Sequence, residues 1–317
     1  MRVALASAMT AARGRLALLA LVITACTDVR VVPEEEETTS AVSTGAATVT
    51  SVGSTTTGGG ASGGGGEGGD ASGGASAGGG EEGGGPPGQV PGIVAVGYGG
   101  LRIVSRDDGL TWTDRVTDGA VDDIGTNLWS VAWGAGRWVI AGGSRLLIST
   151  DGVAWSDASD SMPFHSCAGV AFFQGEFWLG CTLSEEGWVF RSADGASWGE
   201  GVSLGQEFLY RVHLLAGGGK LVAHDNSGTT LQTNDGTEWT ALDLTVPTFC
   251  AGEWKEAVDC GPDDYGSSWH SGTWLAAGWP GRIRRSTDGV TYEDVYVDAD
   301  GYTVFDSRMF ARGYVAP

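Results

Sequence analysis

The chain has 317 residues, 55 of them glycine, and carries 39 Asp and Glu against 18 Lys and Arg, a net charge of −21. So acidic a surface repels phosphate backbones and anionic lipid headgroups, which excludes nucleic acid as a partner and electrostatic attachment to a membrane. Residues 92–317 show no sustained helical periodicity, which sets the helical classes aside.

Arg2, Arg13 and Arg15 precede an apolar run, Leu16 to Ile23, too short to span a bilayer as a permanent helix. Residues 1–25 therefore read as a secretory signal. The run ends in Ile23-Thr24-Ala25-Cys26, which resembles a bacterial lipobox. That resemblance implies acylation of Cys26 as the mature N-terminus, with enough acyl chain for stable anchoring and no crossing of the membrane. The protein is then exported and lipid-anchored to the cell envelope. Thr27 stands where an inner-membrane retention signal places Asp, which points to the outer membrane.

Residues 26–91 follow with an acidic run, Glu34 to Glu37, a Ser/Thr/Ala stretch and repeated glycine runs. Nothing there can bury a core, so a disordered tether is expected, with a root-mean-square span of about 45 Å.

Residues 92–317 contain five copies of one turn motif. They read Ser105-Arg106-Asp107-Asp108-Gly109-Leu110-Thr111-Trp112, Ser149-Thr150-Asp151-Gly152-Val153-Ala154-Trp155, Ser192-Ala193-Asp194-Gly195-Ala196-Ser197-Trp198, Thr233-Asn234-Asp235-Gly236-Thr237-Glu238-Trp239 and Ser286-Thr287-Asp288-Gly289-Val290-Thr291-Tyr292. The glycines are separated by 43, 43, 41 and 53 residues, the spacing of a repeat architecture. In each copy a hydroxyl and a carboxylate can accept from the N–H groups of a tight turn, and the glycine can take positive φ. The aromatic residue that follows can fill a gap between sheets. A calcium loop is the poorer reading, because one or two carboxylates per copy fall short of the roughly six oxygens that metal takes.

The motif resembles the Asp box of sialidase-type, or BNR-repeat, β-propellers, with consensus Ser-x-Asp-x-Gly-x-Thr-Trp. Residues 105–112 match at every defined position, and the other four copies lack one residue between Asp and Gly. The resemblance implies that the boxes are structural and lie away from any active site.

Between boxes, short strands are separated by glycine-rich turns. The second repeat predicts Trp129–Trp133, Trp138–Ala141, Arg145–Ser149 and Ala154–Asp157. The third predicts Ala168–Phe173, Phe177–Cys181, Trp188–Ser192 and a strand after Ser197; the fourth predicts Leu209–Leu214, Lys220–Ala223, Thr230–Thr233 and a strand after Glu238. An all-β, monomeric propeller of about five four-stranded blades follows, with six as the alternative. The chain enters its first repeat at Ile93–Val96, aligned with second strands, so a C-terminal strand, Thr303–Phe310, is expected to close the ring.

Cysteines in an exported chain pair. Cys167 and Cys181 are equidistant from the centre of a hairpin at Gln174 and should face each other, while Cys250 and Cys260 would close a small loop worth about 3 kcal/mol.

The resemblance also raises glycoside hydrolysis. Sialidases share an Arg-Ile-Pro motif, an arginine triad, an Asp acid/base and a Tyr/Glu pair. Here Leu101-Arg102-Ile103-Val104 lacks the Pro, and Arg211 and Arg308 are two scattered candidates for the channel. His165, His213, His224 and His270 show no ligand spacing, and neither a nucleophile elbow nor a phosphate loop occurs. No catalytic residue, metal or cofactor is assigned. The expected function is a non-catalytic binding propeller for a glycan or an envelope protein. An assembly or quality-control factor similar to the BNR-type photosystem assembly factors is the alternative, and a sialidase-like hydrolase the more distant one.

The chain has one large insertion, about residues 245–272, on a fourth-to-first strand connection. Strand alternation puts such connections on the face opposite the boxes. Trp254, Trp269 and, from the Gly278-Trp279-Pro280-Gly281 turn, Trp279 are therefore expected to meet a ligand there, beside Asp263 and Asp264.

Overall fold

The computed structural model describes residues 85–317, apart from 209, 226, 263–266, 271, 279–280 and 305–306. The signal, Cys26 and most of the tether lie outside the described residues. The described chain is all-β, with short 3-10 turns and no α-helix.

Blade 1 contains β1 (Val90–Val96), β2 (Arg102–Ser105) and β3 (Thr113–Val116). Blade 2 is built from β4 (Ser130–Gly134), β5 (Arg137–Gly142), β6 (Arg145–Ser149) and β7 (Ser156–Asp157). Blade 3 contains β8 (Cys167–Phe173), β9 (Glu176–Leu183), β10 (Glu186–Ser192) and β11 (Val202–Glu207). Blade 4 contains β12 (His213–Gly217), β13 (Lys220–His224), β14 (Thr230–Thr233) and β15 (Thr240–Ala241). A separate two-stranded hairpin follows, β16 (Pro247–Cys250) and β17 (Glu253–Glu256). Blade 5 contains β18 (Ser267–His270), β19 (Thr273–Gly278), β20 (Arg282–Ser286) and β21 (Glu293–Val297). The last strand, β22 (Phe310–Val315), pairs antiparallel with β1 from Val90↔Val315 to Ala95↔Phe310 and gives blade 1 its innermost strand.

The protein is thus a five-bladed propeller closed by its C-terminal strand. That strand begins where it was expected to end. Residues 298–303 are diverted into a loop tied to blade 1: Asp298 accepts from Arg115 Nε (2.7 Å) and from the N–H groups of Asp300 and Tyr302. In blade 4 the first strand also starts later than its apolar run suggests. The turn at Gly218–Gly219 sets the register from Gly217↔Lys220 to His213↔His224.

Each inner hairpin is closed by a two-residue turn ending in glycine. Both central residues have positive φ at Ala135–Gly136, Gln174–Gly175, Gly218–Gly219 and Ala251–Gly252, as type I′ geometry requires. The fourth of these belongs to the two-stranded hairpin. Its cross-strand aromatic pair, Phe249↔Trp254, occupies the same register as Trp133↔Trp138, Phe172↔Phe177 and Trp269↔Trp274. Phe249 also packs against Gly217 and Gly218 of blade 4 as Phe172 packs against Gly134 of blade 2. The insertion is therefore the inner half of a further blade, inserted between blades 4 and 5, with β16 touching both β12 and β18.

All five boxes connect third to fourth strands. In each, the Ser or Thr hydroxyl accepts from the glycine N–H at 2.8–2.9 Å. The Asp Oδ1 accepts that hydroxyl and further backbone N–H groups, such as those of Ala196 (2.9 Å) and Ser197 (2.7 Å) at Asp194. All five glycines have φ between 68° and 83°. The box aromatics Trp112, Trp155, Trp198 and Trp239 are half-buried against the cores. Tyr292 instead donates its hydroxyl to Ser267 Oγ (3.0 Å).

Candidate functional site

Inner turns and boxes share one face. Gln174 of the β8–β9 turn donates to Asn234 O of the fourth box (2.7 Å), and Arg137 beside the β4–β5 turn donates to Asp194 O of the third (2.9 Å). Because the insertion folds as an inner hairpin, Trp254 and the backbone of Trp269 lie near the turns of that box face, not on the opposite face as expected. Trp254 is one residue from the turn-closing pair Cys250↔Glu253, and its ring packs on Phe249 (centroids 5.2 Å apart) toward blade 4. Trp269 is described in its backbone only, and Trp279, Asp263 and Asp264 lie outside the described residues.

Four of the five box glycines sit against the second strand of the preceding blade. Gly109 faces Leu275 of β19, Gly152 faces Val315 of β22 and Val94 of β1, Gly195 faces Val139 of β5 and Gly236 faces Trp178 of β9. Gly289 is the exception. Its preceding unit is the hairpin, and the β17 residue in register with Val139, Trp178 and Leu275 is Lys255. A charged, strongly hydrated side chain does not pack there as an aliphatic one does. The atoms nearest Gly289 are those of Trp274 in its own blade, the counterpart of Trp138 at Gly152 and of Phe177 at Gly195.

The consequence is a cleft of about 240 Å³ on the box face, between the hairpin and blade 5. Its floor is Trp274 and Tyr292, its walls are Lys255 with the Cys250–Cys260 loop, and its rim carries Val258 and Val290. Those two valines are 59% and 84% exposed. Lys255 Nζ reaches Glu253 Oε2 at 3.2 Å, a solvent-exposed pair that stabilises little. Asp259 adds a second carboxylate.

Both expected disulfides are formed. Cys167 and Cys181 are direct cross-strand partners with Cα atoms 3.9 Å apart, and Cys250 and Cys260 close the cleft wall with Cα atoms 6.1 Å apart. Ser267 Oγ donates to Cys260 O, so the cystine is tied to blade 5.

On the opposite face, Arg211 and Arg308 both lie close enough to His213 for their charges to act on it. The Arg211 guanidinium lies 4.3 Å over the Trp129 ring, and Arg308 lies 2.9 Å from His224 Nε2. His213 and His224 are cross-strand partners at the end of the β12–β13 hairpin, both fully enclosed. Burial, then the charge of Arg308, holds both imidazoles well below the ordinary 6.5. Burial and Arg312 bring His270 to about 3. Neutral, enclosed imidazoles of this kind pack and hydrogen-bond. Among the described residues no group of three His, Cys, Asp or Glu is placed to hold a metal ion.

Lys255, Trp274 and Val290 were not singled out from the sequence. Their signal was the inner-turn pattern with its flanking aromatic pair, which marks Cys250-Ala251-Gly252 as a turn homologous in position to Phe173-Gln174-Gly175.

No family model and no curated protein matches the chain. Among solved structures it is similar to virginiamycin B lyase from Staphylococcus aureus, with 11% identity, a TM-score of 0.40 and coverage of 70% of this chain and 93% of that one. It is also similar to YCF48 bound to D1 peptide, at 17% identity, a TM-score of 0.35 and coverage of 71% and 89%. The GH43 protein BlXynB from Bacillus licheniformis aligns at 13% identity and a TM-score of 0.32 over 55% of this chain, which spans only 42% of that protein. At such identities the likeness is one of fold, shared by proteins of unlike chemistry.

Proposed function

We propose that this protein is a non-catalytic binding propeller, held to the bacterial envelope by lipid on Cys26, and that it takes a protein partner in the cleft between the hairpin and blade 5. The observation that carries this reading is the fifth box: the ring buries the other four box glycines against the preceding blade and leaves this one half-buried at the edge of a cleft. A cystine stiffens the cleft wall, which lowers the ordering cost of binding. Protein is favoured over glycan because Trp254 is packed on Phe249 rather than laid flat as a sugar platform, while the rim offers exposed aliphatic side chains. The neutral, enclosed histidines support a role without catalysis.

Peptide and glycan arrays test this reading, run with the 92–317 propeller and its Val290→Arg variant. Binding to array peptides that falls at least tenfold in the variant, with an unchanged melting temperature, is the expected result. Binding unaffected by the substitution would place the site elsewhere, and glycan-only binding would overturn the choice of partner. Fluorogenic sialosides and aryl glycosides should show no turnover above buffer.

A further inference from the structure

The hairpin that forms one wall of the cleft ends in an open strand edge. In the five full blades the second strand pairs on both sides: β1, β5, β9, β13 and β19 each lie between two neighbours. Among the described residues β17 pairs only with β16. Cys250 and Glu253 flank a two-residue turn and so form a hydrogen-bonded pair. Ala257 N–H donates to Val246 O at 2.8 Å, which extends the same phase. Alternation then turns the N–H and C=O groups of Trp254 and Glu256 outward, to the side where other blades carry a third strand. Among the described residues none of these outward groups is hydrogen-bonded.

We infer that β17 is a site of strand addition, at which an extended, basic peptide segment of a partner protein supplies the missing third strand. This rests on the reading of the cleft as the binding site. Such a strand would satisfy the open backbone groups of β17, and its side chains on the blade 5 side would cover the cleft over Val290 and Tyr292. Charge decides the composition. Glu253 and Asp259 flank the edge with Lys255 as the single cation, the Glu256 carboxylate being held by the N–H groups of Thr245 (2.6 Å) and Val246 (2.9 Å), in a propeller region whose 30 acids outnumber its 14 bases. Lys or Arg alternating with aliphatic residues complements both the acids and the valine rim. A second copy of this chain is the poorer occupant, because the shared negative charge repels it. Antiparallel self-pairing that joins the outward groups of Trp254 and Glu256 would also set Lys255 of one copy opposite Lys255 of the other.

The test uses a capped peptide alternating lysine and valine, read by fluorescence anisotropy at low and high salt against the intact protein. A matched peptide N-methylated at alternate residues keeps charge and side chains but cannot complete the ladder. The expected result is binding of the unmodified peptide, at least tenfold weaker binding of the methylated one, and a similar loss with Glu253→Lys/Asp259→Lys. Equal binding of the two peptides, still lost with Val290→Arg, would overturn strand addition and leave the cleft reading standing. Binding untouched by Val290→Arg would overturn both. No binding of the unmodified peptide would overturn the inference and leave the cleft to the array experiment.

Discussion

A box glycine in this ring does two jobs, and a pair of substitutions separates them. Gly195 has φ +68° and an added Cβ would lie 2.4 Å from Val139 Cγ2, whereas Gly136 has φ +73° with open space around it. Gly136→Ala should cost only the left-handed backbone penalty, about 1–2 kcal/mol. Gly195→Ala adds overpacking against blade 2 and should cost about 2–5 kcal/mol in all. Urea denaturation of both variants checks this, and equal losses would show that the box does not brace its neighbour. Titration at the same scale gives two pH windows. His213, His224 and His270 have folded values below 6.5, so their protonation favours the unfolded chain, and stability present above pH 6.5 is lost as pH falls below it. The carboxylates of Asp194 and Asp235 are lowered to about 2, in each case first by backbone N–H groups, those of Ala196 and Ser197 and those of Thr237 and Glu238. Their contribution is present above the ordinary 3.8 and lost as pH falls toward 2. The melting temperature should fall in two stages, one beginning near pH 6.5 and one below pH 4. Replacing His213 and His224 together with Gln and Leu should shrink the first stage to the share of His270 and leave the second unchanged.

Among the elements, β22 closes the ring, and the hairpin β16–β17 interrupts its regularity. Phe310 and Val315 are fully buried, each worth about 1.5–3 kcal/mol of apolar burial. Removing residues 310–317 also strips the ladder from β1 between Val90 and Ala95. The truncated protein should aggregate or lose its cooperative melt, and a melting curve like that of the full chain would show that closure does not depend on this strand. Much at this scale was legible beforehand. Arg145–Ser149 and Thr230–Thr233 are strands at their expected bounds, since β-branched and apolar residues there stop at a box on one side and a turn on the other. The terminal strand was displaced because Asp298, nothing more than one acidic residue in a loop when read in sequence, is recruited by Arg115 from the other end of the ring. The hairpin was read as a loop because Pro247 and the two cysteines obscure a strand pattern only four residues long.

For the whole molecule, anchoring and globular function should be separable. Cys26→Ala should move the protein from the detergent phase to the soluble fraction in a Triton X-114 partition, without changing the melting temperature of the propeller. A variant that stays in the detergent phase would show that something other than lipid on Cys26 holds it.

The repeat spacing, the closure by a C-terminal strand and both cystines were legible in the sequence alone, which put the blades at about five with six as the alternative. Each depends on local signals, a turn motif or a register between near neighbours, that recur with fixed period. The cleft and the open edge were decided only by the tertiary structure. They arise from what is absent between two blades, and from Lys255 standing where Val139, Trp178 and Leu275 seal the ring elsewhere. A missing neighbour leaves no local signature, because burial is a property of the surfaces brought together and not of the residue that carries them.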